Sequence, residues 1–211
     1  MGFIDRKKTN FYESQPLYSF GFSKTLLIVG LGNIGKRYMH NRHNVGFMAL
    51  DRYRTSHELP EWIEKKDLHC YISSGDVGGT RLILIKPTTL MNLSGEAISA
   101  VQNFYKIDDT DTLVVYDELD VPFGTIRTRS GGGSAGHNGI KSLLQHTEGE
   151  VSRIRIGIGP KEPEQMDTAD FVLQDFSEDQ QKNLDKILRE ACVLIDERTT
   201  GPLTEQTIKV I

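Results

Sequence analysis

The sequence is poor in cysteine and lacks long apolar runs. Its two cysteines, Cys70 and Cys192, stand far apart and in none of the short spacings that bind zinc. This argues against both a disulfide framework and a zinc site. No apolar run approaches the ~20 residues of a membrane-spanning helix, and the N-terminal region has no apolar segment typical of a secretion signal. These absences predict a soluble, cytoplasmic protein with reduced thiols.

An excess of positive charge is also missing, because the formal net charge is −4. The charge is unevenly distributed along the chain. Residues 1–160 contain 19 Lys and Arg against 17 Asp and Glu, whereas residues 161–211 contain 6 against 12. A near-neutral body followed by an acidic tail leaves room for a local phosphate-binding patch without a globally basic protein.

The usual nucleophile motifs are absent. No serine lies in a G-x-S-x-G turn, and neither cysteine has a histidine motif beside it. The candidates are instead His43, in a polar loop, and Asp117, at the end of an apolar strand, where open α/β sheets bind ligands. An aspartate can orient an imidazole and stabilise its protonated form, so that histidine acts as a general base. From spacing alone, the simpler interpretation is that His43 is a surface histidine and that Asp117 caps a turn. If the two residues instead form a pair, their combination with several asparagines suggests a reaction by direct attack of activated water.

The apolar pattern predicts a single three-layer α/β domain over residues 24–211, with a mixed, partly parallel central sheet flanked by helices. Residues 1–23 show no apolar period and are predicted to form an N-terminal extension. Strands are predicted at 26–29, 81–86, 113–116, 126–129 and 153–156, and helices at 45–57, 95–106 and from residue 177 onward.

Two of the helices carry specific expectations. Ser94 is predicted to cap the helix over 95–106, whose apolar face includes Phe104. Ser177 and Gln180 form a capping-box pattern at the start of a long amphipathic helix.

Residues 30–35 (GLGNIG) follow a strand and satisfy the G-x-G-x-x-G pattern of dinucleotide-binding proteins. That function requires a helix that begins at the third glycine and an acidic residue at the end of the next strand. Residues 36–43 offer little apolar face, and Asp51 falls inside a helical pattern. A tight turn is therefore favoured over a nucleotide site, and a dehydrogenase is kept as a weak alternative.

A second glycine-rich run, residues 130–139, ends in His137 and Asn138 just before an apolar period. Glycines permit close approach of backbone to ligand, and a helix start here would present amides to an anion or a carbonyl oxygen. A flexible loop with Asn138 as helix cap remains the alternative. Asn92 follows a strand and offers an amide that can stabilise an oxyanion, unless it simply connects strand and helix.

Five segments of the chain, in order, resemble bacterial-type peptidyl-tRNA hydrolase. They are GLGNIGKRYMHNRHNVG (30–46), KPTTLMNLSGEAI (86–98), VYDELDVPFG (115–124), GGGSAGHNGIKSL (131–143) and RIRIGIG (153–159). The resemblance implies a monomeric, cytoplasmic α/β enzyme without metal or cofactor and without membrane or DNA partners. Its implied reaction is hydrolysis of the ester that joins a peptide, or an N-blocked aminoacyl group, to the 3′ ribose of tRNA, which recycles tRNA from prematurely released chains.

The resemblance also implies roles for individual residues. His43 resembles the general base, Asp117 its supporting carboxylate, Asn33 the residue that recognises the N-blocked substrate, and Asn92 a group that steadies the oxyanion. Substrate contacts are implied for Tyr38, Leu90, Met91, Asn92, His137 and Asn138, and contacts to the tRNA acceptor stem and its 5′ phosphate for Arg129, Lys141, Arg153 and Arg155.

Some positions depart from the family pattern. Ile34 replaces a usual proline, Leu90 a common phenylalanine, and Ser134-Ala135 precede Gly136 where glycine or histidine is commoner. The end of the chain looks short for the family's closing helix, and residues 160–175 are interpreted as a gate over the site. A non-catalytic RNA-binding relative is the alternative that this resemblance leaves open.

Overall fold

The computed structural model describes residues 24–211, so the predicted extension over residues 1–23 lies outside the described part of the chain. Eight strands form one mixed sheet in the order β2-β3-β4-β1-β5-β7-β6-β8. Their bounds are β1 Thr25–Gly30, β2 Ile63–Lys65, β3 Cys70–Val77, β4 Thr80–Pro87, β5 Thr112–Pro122, β6 Thr125–Ser130, β7 Ser152–Gly159 and β8 Gln206–Lys209.

The centre of the sheet is parallel and mostly buried, as expected for a sheet covered on both faces. Strands β4, β1, β5 and β7 run parallel, while β2, β3, β6 and β8 add antiparallel edges. Along β1, Leu26 and Ile28 pack into one core, and Leu27 and Val29 pack into the other. The predicted three-layer architecture is thus confirmed.

In the described part of the chain, five α-helices cover the sheet, and short 3-10 turns lie between them. Helices α1 and α5 cover one face of the sheet, and α2 and α3 cover the other. The helices are α1 Val45–Ser56, α2 Ser94–Tyr105, α3 Asn138–Leu143, α4 Thr168–Val172 and α5 Glu178–Thr200. Within residues 24–211, none of them combines the length and the apolarity needed to cross a membrane.

The long helix begins as predicted, whereas two details of α2 were wrong. The Ser177 hydroxyl accepts from the Gln180 amide and the Ser177 amide donates to the Gln180 side chain, which completes the capping box of α5. Ser94 is the first residue of α2 instead of its cap, and its hydroxyl donates to the Met91 carbonyl. Phe104 is 62% exposed and lies off the buried face.

Strand β5 is longer than predicted, so the placement of Asp117 at its end was wrong. The strand continues to Pro122 and stays paired with β7 through Glu118. Its other neighbour, β1, ends at Gly30 opposite Val115. Asp117 therefore lies two positions beyond the carboxyl end of β1, where the shorter strand leaves a crevice.

The C-terminal region ends in a strand. Helix α5 ends at Thr200, and Gln206–Lys209 then forms β8, which pairs antiparallel with β6. The apolar pattern predicted neither this strand nor β2 and β3 at the opposite edge, because each is short or half exposed.

The first glycine motif serves close packing. Helix α1 begins at Val45, and Gly35 is followed only by a 3-10 turn over Lys36–Tyr38, so the helix start that a dinucleotide site requires is missing there. A Cβ at Gly30 would lie 2.6 Å from the carbonyl oxygen of Gly46. The structure thus favours the tight-turn interpretation over the nucleotide-binding one.

The contact at Gly46 predicts a large cost for a single added methyl group. A Cβ there would lie 2.6 Å from the Leu31 nitrogen and closer still to the Val115 carbonyl oxygen, and neither backbone atom can move freely. We expect Gly46→Ala to lower the free energy of unfolding by roughly 1–3 kcal/mol in urea denaturation. Gly201→Ala is the matched control, because a Cβ at that extended position meets nothing within 4 Å. Equal denaturation midpoints for the two variants would contradict this account of the α1 packing.

Candidate active site

Three separate segments bring polar side chains together beyond the carboxyl end of β1. A 3-10 turn over Arg42–Asn44, directly before α1, carries His43. Strand β5 carries Asp117, and the loop before α3 carries His137. All three side chains are largely shielded, with Asp117 only 2% exposed. A shielded carboxylate must be paired to be tolerated.

The predicted His43–Asp117 pair is formed. His43 Nδ1 lies 2.8 Å from Asp117 Oδ1. With the proton on Nδ1, this ring nitrogen donates to the carboxylate, and Nε2 keeps its lone pair for a proton from elsewhere. Burial alone would lower the pKa of His43, but the charge of Asp117 and the hydrogen bond to it outweigh that effect and raise this pKa above its ordinary value.

His137 makes a second hydrogen bond to the same carboxylate oxygen. Its Nδ1 accepts from the backbone amides of Gly139 and Ile140 at 3.1 and 3.2 Å, so its proton lies on Nε2. This Nε2 donates to Asp117 Oδ1 at 3.0 Å. His137, and not Asn138 as the alternative interpretation had it, is therefore the N-cap of α3. Burial would raise the pKa of Asp117, yet the two imidazoles lower it well below its usual range.

The same three side chains offer the donor set of a transition-metal site, with ligand atoms within 4.8 Å of one another. In this arrangement, however, Asp117 Oδ1 already accepts from both rings, and His137 Nδ1 is engaged by the helix amides. An ion would have to replace both hydrogen bonds to Oδ1. Hydrogen bonds therefore account for the cluster.

Asn44 fixes the position of Asn33. The Asn44 side chain accepts from the Asn33 amide and donates to the Asn33 carbonyl, both at 2.9 Å. These bonds leave the Asn33 side-chain amide without a hydrogen-bond partner among residues 24–211. They form although Ile34 stands in the turn, where the family usually has proline. Asn44 lies in the motif around His43, but no role was predicted for it.

A cavity of about 750 Å³ opens above this cluster. Helix α4 supplies one wall through Thr168, Ala169 and Val172. Tyr38 does not line the cavity; Arg37 lies over its ring at 4.5 Å. The predicted site residues that do line it are Asn33, His43, Leu90, Met91, Asn92, Asp117, His137 and Asn138.

Arg42 ties α4 to the loop that carries His43, a role that the sequence analysis missed. Its guanidinium lies 4.4 Å from the centre of the Phe171 ring and donates to the Phe171 carbonyl at 3.3 Å and to Gln180 Oε1 at 3.2 Å. Its backbone amide donates to the Gln174 carbonyl at 3.0 Å. The segment 160–175, interpreted as a gate, is thus hydrogen-bonded through Phe171 and Gln174 to the residue next to His43.

The four predicted basic residues lie in three different settings. Arg153 is 1% exposed, and its guanidinium donates to the carbonyls of Gly132 and Gly133 at 2.8 Å each. It therefore stabilises the glycine-rich loop from the protein interior and does not belong to a surface patch. Arg129 and Arg155 line a groove on β6, β7 and β8, together with Arg127, which the sequence analysis did not select. Arg155 also pairs with the buried Glu118 at 3.1 Å. Lys141 is exposed on α3.

Comparison with known proteins gives a consistent result. Residues 27–210 match the family model described as peptidyl-tRNA hydrolase. A curated relative of that name from Pseudothermotoga lettingae is 43% identical over 81% of this chain and 88% of its own length. Another, from Rhizobium rhizogenes, is 47% identical over 72% of this chain, and that match spans 63% of the relative.

A solved structure shares the fold. The crystal structure of peptidyl-tRNA hydrolase from Acinetobacter baumannii has a TM-score of 0.74 and 31% identity, covering 86% of this chain and 94% of that one. The match to the family model begins within β1, continues past the end of β8, and includes every side chain of the cluster around Asp117. The chain belongs to the peptidyl-tRNA hydrolase family.

Proposed function

We propose that this protein hydrolyses the ester between a peptide, or an N-blocked aminoacyl group, and the 3′ ribose of tRNA. The observation that carries the proposal is the His43–Asp117 hydrogen bond, which orients the ring so that Nε2 is left to accept a proton. No hydrogen bond from residues 24–211 engages Nε2, and His43 lines the cavity together with Asn33, Asn92 and Asn138.

The chemistry needs one water molecule and one base. His43 Nε2 takes a proton from the water while its oxygen bonds to the ester carbon, and the amide of Asn92 stabilises the resulting oxyanion. The tetrahedral intermediate then collapses, the bond to the ribose oxygen breaks, and that oxygen takes the proton back from His43. The products are a peptide carboxylic acid, which releases its proton to solvent and becomes a carboxylate, and a tRNA with a free 3′ hydroxyl. No step requires a metal ion or a cofactor.

Recognition of the tRNA is divided between the cavity and the arginine groove. Leu90, Met91, His137 and Asn138 line the cavity that would receive the CCA end, and Asn33 would read the N-blocked end of the acyl group. Tyr38 stays in the proposal as a contact at the edge of the site. Arg127, Arg129, Arg155 and Lys141 would hold acceptor-stem phosphates, which positions the tRNA without reading its sequence.

The biological setting follows from this activity. We place the enzyme in the cytoplasm as a monomer that recycles tRNA from prematurely released chains, with α4 and its flanks acting as the gate. Both cysteines are free and buried, in keeping with that compartment. The alternative is a non-catalytic RNA-binding protein, and a hydrolysis assay that compares blocked with free aminoacyl-tRNA distinguishes the two: cleavage of the blocked form alone supports the enzyme.

Removing the proposed base gives the first test. We expect His43→Ala to reduce turnover of N-acetyl-aminoacyl-tRNA by ~10²–10⁴-fold, the usual contribution of a general base. His40→Ala is the matched control, since His40 is exposed three positions earlier and lines neither the cavity nor the groove. Undiminished turnover in His43→Ala would refute the assigned role.

The pH dependence tests the electrostatic link between Asp117 and His43. The base must be neutral, and the pKa of His43 is raised above its ordinary 6.5, so kcat/KM should climb as pH rises through a value above 6.5. In Asp117→Asn the negative charge is removed, so only burial acts on the pKa of His43 and lowers it. The acid limb of kcat/KM should therefore move below pH 6.5, and the maximum kcat/KM should be much lower. Acid limbs at the same pH in both enzymes would show that Asp117 does not tune the base.

The arginine groove can be tested through salt dependence. Arg129→Gln removes one cation from the groove, so the slope of log affinity for tRNA against log salt should become shallower by about one counterion. Lys66→Gln provides the control, because Lys66 is exposed at the opposite edge of the sheet, next to β2. Identical slopes for Arg129→Gln and the unmodified protein would remove Arg129 from the tRNA surface.

A further inference from the structure

A second cavity, of about 370 Å³, lies beside the catalytic one and plays no part in the proposed chemistry. Its volume falls within the range of ~300–1,000 Å³ usual for ligand pockets. Most of its walls are apolar or aromatic. It is lined by Asn33, Ile34, Gly35, Lys36, Met39, Asn44, Phe47, Met48, Asp51, Trp62, Tyr71 and Lys86, and we call it the acyl cavity.

The aromatic wall of the acyl cavity is held in a fixed orientation. The Trp62 indole N–H donates to Asp51 Oδ1 at 2.7 Å. The Lys86 ammonium pairs with the same carboxylate and lies 4.5 Å from the centre of the Trp62 ring and 5.4 Å from that of Phe47. Cation–π contacts of this kind stabilise a ring in place. The charges of Lys86 and Asp51 thus satisfy each other, and the aromatic ring remains as the apolar wall.

The two cavities meet at Asn33, which lines both. Of two consecutive residues, His43 lines the catalytic cavity and Asn44 lines the acyl cavity. Because Asn44 holds both backbone groups of Asn33, the boundary between the cavities is fixed to the turn that carries His43. A substrate whose reacting carbon lies at His43 therefore has the acyl cavity as its immediate neighbour.

The order of the strands indicates which part of the substrate, the tRNA or the peptide, points toward the acyl cavity. Tyr71 and Lys86 lie on β3 and β4, whereas the arginine groove lies on β7, β6 and β8. Two strands stand between them in the sheet: β1, beyond whose carboxyl end the cluster lies, and β5, which carries Asp117. The ester joins two parts of the substrate, the tRNA and the peptide. The tRNA carries the phosphates and would therefore occupy the side of the arginine groove. The peptide is then directed toward the opposite side, where β4 and β3 lie.

We propose that the acyl cavity receives an apolar side chain from the last two residues of the peptide, next to the ester. The inference rests on the proposed hydrolysis of peptidyl-tRNA and adds a preference among its substrates. An apolar side chain fits because Trp62, Phe47, Met48 and Met39 line the cavity. Of its three charged residues, Asp51 and Lys86 are paired with each other, and the third, Lys36, is exposed to solvent. Burial of aliphatic groups against such walls is favourable.

The test uses four N-acetyl-dipeptidyl-tRNAs made on one tRNA, with leucine or glycine at each of the two positions. We expect kcat/KM for a leucine-bearing substrate to exceed that of the all-glycine substrate by at least ~10-fold, as differences in filling an apolar pocket allow. Trp62→Ala should reduce this ratio, and so should Met39→Glu, which places a charge at an exposed residue of the cavity rim and guards against misfolding of the first variant. Phe104→Ala is the control and should leave the ratio unchanged, because Phe104 is an exposed aromatic residue that lines neither cavity.

The outcomes separate the two proposals. Equal kcat/KM for all four substrates in the unmodified protein, or a leucine preference that survives both Trp62→Ala and Met39→Glu, would overturn the acyl cavity while leaving the hydrolase intact. Failure to cleave any of the four substrates would overturn the proposed function, and the acyl cavity with it.

Discussion

The site is organised by one oxygen atom, Asp117 Oδ1, which accepts hydrogen bonds from two imidazoles. A carboxylate so thoroughly withdrawn from water is strongly destabilising unless donors compensate it. His43 and His137 supply those donors, and in doing so each ring receives a defined tautomer. In His137 the remaining nitrogen caps α3, whereas in His43 it remains available for chemistry. The same interaction thus begins a helix on one side and, on the other, orients an imidazole whose second nitrogen accepts no hydrogen bond from residues 24–211.

The distance between His43 and Asp117 is set by backbone packing. Helix α1 begins just after His43, and Gly46 in its first turn presses against the Val115 carbonyl, two residues before Asp117. Any residue with a Cβ would push the helix and the preceding turn away from β5. The glycines around this turn therefore determine the distance between His43 and Asp117 as well as stability, and close packing accounts for a run that resembles a dinucleotide-binding motif.

Features decided by local pattern were predictable from the sequence, and features decided by tertiary contact were not. The buried central strands and the capping box at Ser177 follow from apolar runs and side-chain spacing, so both were predicted. The length of β5 depends on β7, which keeps pairing with it after β1 has ended. The alternating pattern of its strand predicts that Arg153 is a surface cation, yet it is buried and donates hydrogen bonds to carbonyls of the glycine-rich loop. Such outcomes depend on partners that are distant in sequence.

The distribution of charge explains how a chain with net charge −4 can accept a polyanion. Residues 161–211 hold 12 of the 29 acidic residues and form α4, α5 and β8, with Glu178 and Asp179 exposed in the first turn of α5. The arginines of the groove lie instead on β6 and β7. On the proposed function, the backbone of an approaching tRNA would be repelled at the acidic helix and attracted at the groove, so electrostatics would restrict its orientation before any close contact forms. If the groove holds the phosphates as proposed, the ester would lie beyond β1 and beside β5, because the cavity above Asp117 is the adjacent opening in the sheet. Overall negative charge and RNA binding are therefore compatible, since the sign of the local field matters at the site and the net charge does not.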